Sequence, residues 1–367
     1  MLKEKRDSII KEMITKSNRC EGMAVRNIGL DILRILSMIF VLTLHYLGAG
    51  GILEEVSFGT FEYVVSWGIE GYAFAGVNCF VLITGYFMSD KKWKLSGIVR
   101  LFIHILFYSI CCYIVSVIIA PSTSNISLSS IIHVLTPALS GEWWYVSCYI
   151  QLFFLMPILN AAIVYMDKKT YRMSLVVLLM ITSLMPTFGI WKSAEWCTGN
   201  DVLWFVTLYL ISAYIKKYNV TINSTKSLVI YFLSGGMMVI SRLLVANLTL
   251  YILGSIKGEN LMYAYNSILT VVMAISLFMC TKNISIKRPM IQKIITVLSQ
   301  YSFGVYLWHA NPNISKLLFQ YVEATHFAHR PLEMIMQMLI FIVVCYLIGV
   351  GCDFIFAKFE QMVNLKK

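Results

Sequence analysis

The chain has 367 residues, 58% of them hydrophobic and only 13% charged, with a mean hydropathy of +0.73. A soluble domain keeps about 25% charged residues, so the charges here are too few to build a water-exposed surface. The net charge of +11 would suit a nucleic-acid partner, but the placement of the basic residues accounts for it without one.

In chain order, residues 1–27 form a basic arm with Lys3, Lys5, Arg6, Lys11, Lys16, Arg19 and Arg26. No small-residue cleavage site follows it, so the first apolar stretch reads as a retained helix and not a removed signal peptide. Ten apolar stretches follow, at roughly 28–48, 71–88, 98–120, 145–165, 173–190, 201–215, 228–248, 266–281, 294–311 and 332–356, with the sixth short. About 18 or more apolar residues cross a hydrocarbon core of about 30 Å. Inside lipid each backbone polar group must be satisfied within its own segment, so the stretches must be helices. The expected fold is all-α, a polytopic integral membrane bundle of about ten transmembrane helices over 28–356, with a tail at 357–367. No internal repeat, low-complexity tract or heptad run is evident.

Alternate connections carry the basic residues. Lys91, Lys92, Lys94 and Arg100, then Lys168, Lys169 and Arg172, then Lys216, Lys217 and Lys226, then Lys282, Lys287, Arg288 and Lys293 share one side with the arm and with Lys358, Lys366 and Lys367. Together they make 24 of the 30 basic residues, against Lys192, Lys257, Lys316 and Arg330 on the other side. The positive-inside rule then expects both termini in the cytoplasm and an even number of spans. The outer connections are acidic and aromatic. The first holds Glu54, Glu55, Glu62 and Glu70, the second is Ser-rich, and Trp67, Trp143, Trp144, Trp191 and Trp196 fall near the outer boundary. Those Trp residues fit an aromatic belt, and equally a platform for sugar rings.

Ionisable groups within a span are costly and so are functional candidates. The first span has Asp31, Arg34 and His45. Arg34 and His45 are 11 residues apart, about 16 Å of helix rise and within about 20° of a whole number of turns. They share a face, with Arg34 in the inner half and His45 near the outer boundary. Asp31 and Arg34, three apart, can pair along the helix. Taken singly, Arg34 also reads as a snorkelling anchor and His45 as an interfacial His. A His titrates near pH 6.5, which suits a base that deprotonates a hydroxyl.

His309 closes the ninth stretch at the depth of His45, so the two can share a site; neither brings a ligand cluster, and no metal is expected. His104 follows Arg100 at i,i+4, and His326 and His329 form an isolated H-x-x-H in an outer loop. The nine Cys are scattered without metal or disulfide spacing, and no G-x-S-x-G nucleophile motif is present.

Several segments in order resemble the acyltransferase-3 family of integral membrane O-acyltransferases, particularly its polysaccharide O-acetyltransferase branch. Leu30-Asp31-Ile32-Leu33-Arg34 with His45 matches the family's Arg-x10-His, and GVNCFVLITGYF (Gly76 to Phe87) its F-F-x-L-S-G-Y/F stretch with Thr84 for Ser. KLSGIVRLFIHILFYSI (Lys94 to Ile110) is similar to its basic third segment, where Arg100 stands alone, Gly97 takes the place of a second Arg, and Lys94 is the nearest substitute charge. EWWYVSCYIQLFFLMPILN (Glu142 to Asn160), LWFVTLYLISAYIKKY (Leu203 to Tyr218) and YSFGVYLWHANP (Tyr301 to Pro312) resemble later family segments. The resemblance spans roughly residues 26 to 356.

The resemblance implies acetyl-CoA as donor from the cytoplasmic side and an acceptor at or beyond the outer face of a bacterial inner or plasma membrane. The expected acceptor is a hydroxyl of a cell-surface or lipid-linked glycan. His45 is then the expected general base, with Arg34 beside it in the catalytic set, and Arg100 and Lys94 would bind the donor. A basic inner mouth of Arg34, Arg100, Lys91, Lys92 and Lys94 suits the nucleotide phosphates. Trp143, Trp144, Tyr145 and His309 would line the acceptor mouth. Two rival readings stand beside this: a lipid-linked sugar exporter or polymerase without transferase chemistry, and an acyltransferase with a non-acetyl donor.

Overall fold

The computed structural model describes residues 26–121, 127–137, 143–189 and 199–362. The basic arm up to residue 25, Glu142, Trp191, Lys192, Trp196 and the last five residues of the tail lie outside them. Every regular element among the described residues is helical.

The main helices are α1 (Ile28–Leu47), α2 (Phe61–Ala73), α3 (Ala75–Met88), α4 (Leu95–Ile119), α5 (Trp144–Tyr165), α6 (Lys168–Thr187), α7 (Val202–Lys217), α8 (Ser224–Leu253), α9 (Ile268–Lys282), α10 (Pro289–Gln300), α11 (Ser302–His309), α12 (Pro312–Val322) and α13 (Pro331–Met362). Short polar side chains start several of them. Asn27 accepts from Leu30 N–H, Thr60 from Tyr63 N–H, Asp201 from Trp204 N–H, and Asn223 from Thr225 and Lys226 N–H. Each satisfies a backbone donor that a helix start leaves unpaired.

Among the described residues seven helical segments are long and apolar enough to cross a bilayer: α1, α2 with α3, α4, α5, α6, α8 and α13. The chain is a multi-pass membrane protein. The sixth and eighth predicted stretches are the shorter helices α7 and α9, of 16 and 15 residues. The ninth is not one helix but α10 and α11, interrupted at Tyr301. The second begins ten residues earlier than predicted, as α2, and turns into α3 at Phe74. The last runs on to Met362. Apolar content sets the predicted ends, whereas helix continues wherever caps and packing allow.

Burial separates an inner set from an outer set. On α8, Val229, Leu233, Met237, Ile240, Leu244 and Leu248 are exposed at steps of three and four, a helical stripe. Such a continuous apolar surface would be a liability in water and is ordinary against lipid. The helix α1 lies inside, packed on α3, α9, α10, α2, α13 and α11. The helix that carries the candidate residues Asp31, Arg34 and His45 is therefore central.

Two prolines sit within long helices and free a carbonyl four residues earlier. Pro157 in α5 leaves the Phe153 carbonyl, which accepts from Trp93 Nε1 at 3.1 Å. Pro186 leaves the Thr182 carbonyl, beside a π-turn at Met180–Leu184; Asn266 Nδ2 donates to it at 2.8 Å. Close approach places α11 against α13: a Cβ on Gly349 would collide with Val305 Cα and its side chain, and one on Gly304 with Tyr108 and Asp353.

Candidate active site

The face of α1 bearing Arg34 and His45 opens on a cavity of about 240 Å³ inside the bundle. Met38 and Val41 line it between them, as the shared-face argument requires. Val77, Phe80, Ile83 and Thr84 of α3 form a second wall; Trp144, Tyr145 and Tyr149 of α5 a third; Phe303 and Tyr306 of α11, with Tyr265, complete it. Aromatic packing holds these walls. Trp144 stacks on Tyr265 with centroids 5.4 Å apart, and Tyr145 meets Phe205 at 5.2 Å and Tyr306 at 5.7 Å.

At one end Arg34 belongs to a small charged network. Arg34 Nη1 donates to Ser299 Oγ at 3.1 Å and to Asp31 Oδ1 at 3.4 Å. Buried Asp31 also accepts from Ser299 Oγ at 2.8 Å and from Arg26 Nε at 2.5 Å. Two guanidinium groups thus share one carboxylate, leaving a net positive charge at this end. The predicted Asp31–Arg34 pair forms; Arg26, counted in the sequence only as a topology charge, and Ser299 complete it.

At the other end His45 is partly open to the cavity, and its ring centroid lies 4.9 Å from that of His309. The two His predicted at one depth do meet. His309 is 1% exposed, with Nδ1 2.6 Å from the Val305 carbonyl oxygen.

The remaining predicted site residues are placed differently. Trp144 and Tyr145 line the cavity, but Trp143 is buried in the core and does not, because it precedes the first turn of α5 on another side. Arg100 does not join Arg34. It faces a neighbouring cavity of about 310 Å³, where its Nη2 donates to Glu360 Oε2 at 2.7 Å. Lys94 is exposed at the N-cap of α4 and lines neither cavity. His104, in the same second cavity, bonds through Nε2 to Asp353 Oδ1 at 2.5 Å, and Tyr108 OH donates to that oxygen at 3.2 Å. Leu101, Tyr149 and Phe303 stand in the walls of both cavities. Asp353 was legible as an acid inside the last apolar stretch; its pairing with His104 was not.

Trp67 has a third role beside belt or sugar platform. Its ring lies 3.2 Å from the guanidinium carbon of buried Arg242, which also donates to Tyr63 OH at 2.8 Å. Among the described residues no group of three or more His, Cys, Asp or Glu is placed to hold a metal ion.

A family model described as an acyltransferase domain, that of the acyltransferase-3 family, matches residues 27–352. No curated protein and no solved structure matches the chain.

Proposed function

The chain belongs to the acyltransferase-3 family, and on that premise we propose that it moves an acetyl group from cytoplasmic acetyl-CoA to a hydroxyl of a cell-surface or lipid-linked glycan. The observation that carries this reading is one cavity with Arg34 and its guanidinium network at one end and His45, packed on His309, at the other. The two ends are about 16 Å apart along α1, a length suited to a pantetheine arm. With the positive-inside orientation, Arg34 and Arg26 face the cytoplasmic side, where the donor's phosphates arrive. Asp31 neutralises only one of these two guanidiniums, so the other keeps its charge for an anion. Arg100 serves the donor only once its bond to Glu360 opens, which makes it the weaker candidate.

In the proposed reaction His45 takes the proton of the acceptor hydroxyl as the oxygen attacks the thioester carbon. The carbon–sulfur bond then breaks, and the proton passes to the CoA sulfur. Trp144 and Tyr145 present apolar faces to the acceptor, while His309, buried behind His45, does not line the cavity. At about 240 Å³ the cavity is smaller than the about 300–1,000 Å³ typical of small-molecule sites. It suits the reacting ends of two substrates, a thioester and a single hydroxyl.

The test is acetyl-CoA itself. Purified protein in nanodiscs should bind acetyl-CoA and release CoA faster when an acceptor glycan is present. An exporter or polymerase would do neither, and that result would overturn the reading. Release from a longer acyl-CoA, but not acetyl-CoA, would instead favour a non-acetyl donor.

A further inference from the structure

The reaction above needs His45 to present a bare ring nitrogen to the acceptor hydroxyl. A neutral imidazole carries its one proton on either nitrogen, and a base whose tautomer is unfixed spends part of its time facing the wrong way. Catalytic histidines are usually set by a partner on the second nitrogen. Among the described residues no carboxylate lines the cavity that His45 faces.

The candidate partner is His309. A carbonyl oxygen only accepts, so the 2.6 Å contact with Val305 places the proton of His309 on Nδ1. The Nε2 atom must then carry the lone pair. This atom is buried and has no hydrogen-bond partner among the described residues. An unpaired buried acceptor is costly, so its persistence marks a group awaiting a donor. The Val305 carbonyl is itself held firmly, because Val305 is fully buried against Gly349 of α13.

The distance is right for His45 to be that donor. A linear N–H···N bond of about 2.9 Å between two imidazoles sets their centroids about 5 Å apart, and the observed separation is 4.9 Å with the planes at 51°. The bond is open in this structure, and closing it requires the His45 ring to turn.

We propose that His309 is a positioning residue for His45: its Nε2 accepts the His45 N–H and so fixes which His45 nitrogen is bare. This rests on the transferase reading above, in which His45 is the base. When His45 takes the acceptor proton it becomes an imidazolium with two N–H groups. One is then donated to His309, and the other returns its proton to the CoA sulfur. His309 neither gains nor loses a proton, so it has no exchange chemistry of its own.

The test combines ring ¹⁵N NMR with kinetics on protein labelled at histidine and held in nanodiscs, with His45→Ala assigning the resonance. In the wild type His45 should show one protonated and one bare nitrogen, with a coupling across the hydrogen bond to His309 Nε2. In His309→Leu the coupling should vanish and the two His45 nitrogens should average. His309→Gln keeps an acceptor oxygen and should restore the fixed tautomer. With acetyl-CoA and acceptor, His309→Leu should lower kcat about 10- to 100-fold, the usual weight of a charge-assisted hydrogen bond, and leave the KM for acetyl-CoA unchanged. An averaged His45 ring in the wild type, or one unchanged by His309→Leu, would overturn the proposal. If His309→Leu fails to fold, the wild-type coupling alone decides. A fixed His45 tautomer in a protein that ignores acetyl-CoA would retain the His pair and sink the transferase reading.

Discussion

At the scale of single residues, Arg34 and His45 line one cavity from one face of α1. The Arg-x10-His spacing was legible because helix geometry turns a sequence interval into a common face. Depth in the membrane brought His309 to His45, but Ser299 was not legible, because it lies more than 260 residues from Asp31 and Arg34. Trp143 and Trp144 show the same limit, since adjacent residues at a helix start point to different sides and only Trp144 lines the cavity. The two arginines predicted to serve the donor should separate in kinetics. Arg34→Ala should raise the KM for acetyl-CoA about 10- to 100-fold, the loss of a charge-assisted contact of about 1.5–3 kcal/mol, with the acceptor KM little changed. Arg34→Lys should rescue only in part, because an ammonium lacks the planar fork that meets Asp31, Ser299 and a phosphate together. Arg100→Ala should have a smaller effect, since Glu360 already occupies that guanidinium. An equal effect of both substitutions would show that the Arg100–Glu360 bond opens on donor binding.

At the scale of the element, the interrupted helices carry the information. Apolar stretches predict where helix must exist but not where it breaks, because a Pro or a turn is tolerated in a membrane when another group repairs the backbone. The Trp93 bond to the Phe153 carbonyl is such a repair. Trp93→Phe keeps the ring and removes the donor. It should cost about 1–3 kcal/mol, read as a lower Tm in detergent, and an unchanged Tm would mean that water replaces the indole. The ninth stretch breaks at Tyr301, and α11 ends at His309 beside His45; a continuous helix over 294–311 already put His309 at that depth but did not show the break. The placement of α11 depends on Gly349. A Gly349→Leu side chain would collide with Val305, and overpacking of this kind costs about 1–3 kcal/mol. It should lower transfer as well as Tm, because the Val305 carbonyl orients His309.

At the scale of the whole molecule, composition and charge placement made the all-α membrane bundle legible, since lipid leaves so few alternatives. The central position of α1 was not, because hydropathy does not separate a helix facing lipid from one facing protein. The positive-inside rule predicts the orientation: reporter fusions after Lys169 and Lys217 should read cytoplasmic and those after Lys192 and Lys257 external, and reversal at any two would refute it. The most direct test of the account is His45→Ala in sealed membranes supplied with labelled acetyl-CoA. The variant should insert, and it should bind acetyl-CoA as the wild type does, because the guanidinium end lies about 16 Å away along α1. Transfer of label to the glycan should fall about 10²- to 10⁴-fold, the usual weight of a general base. A His45→Ala protein that inserts normally and keeps most of its transfer activity would contradict the account.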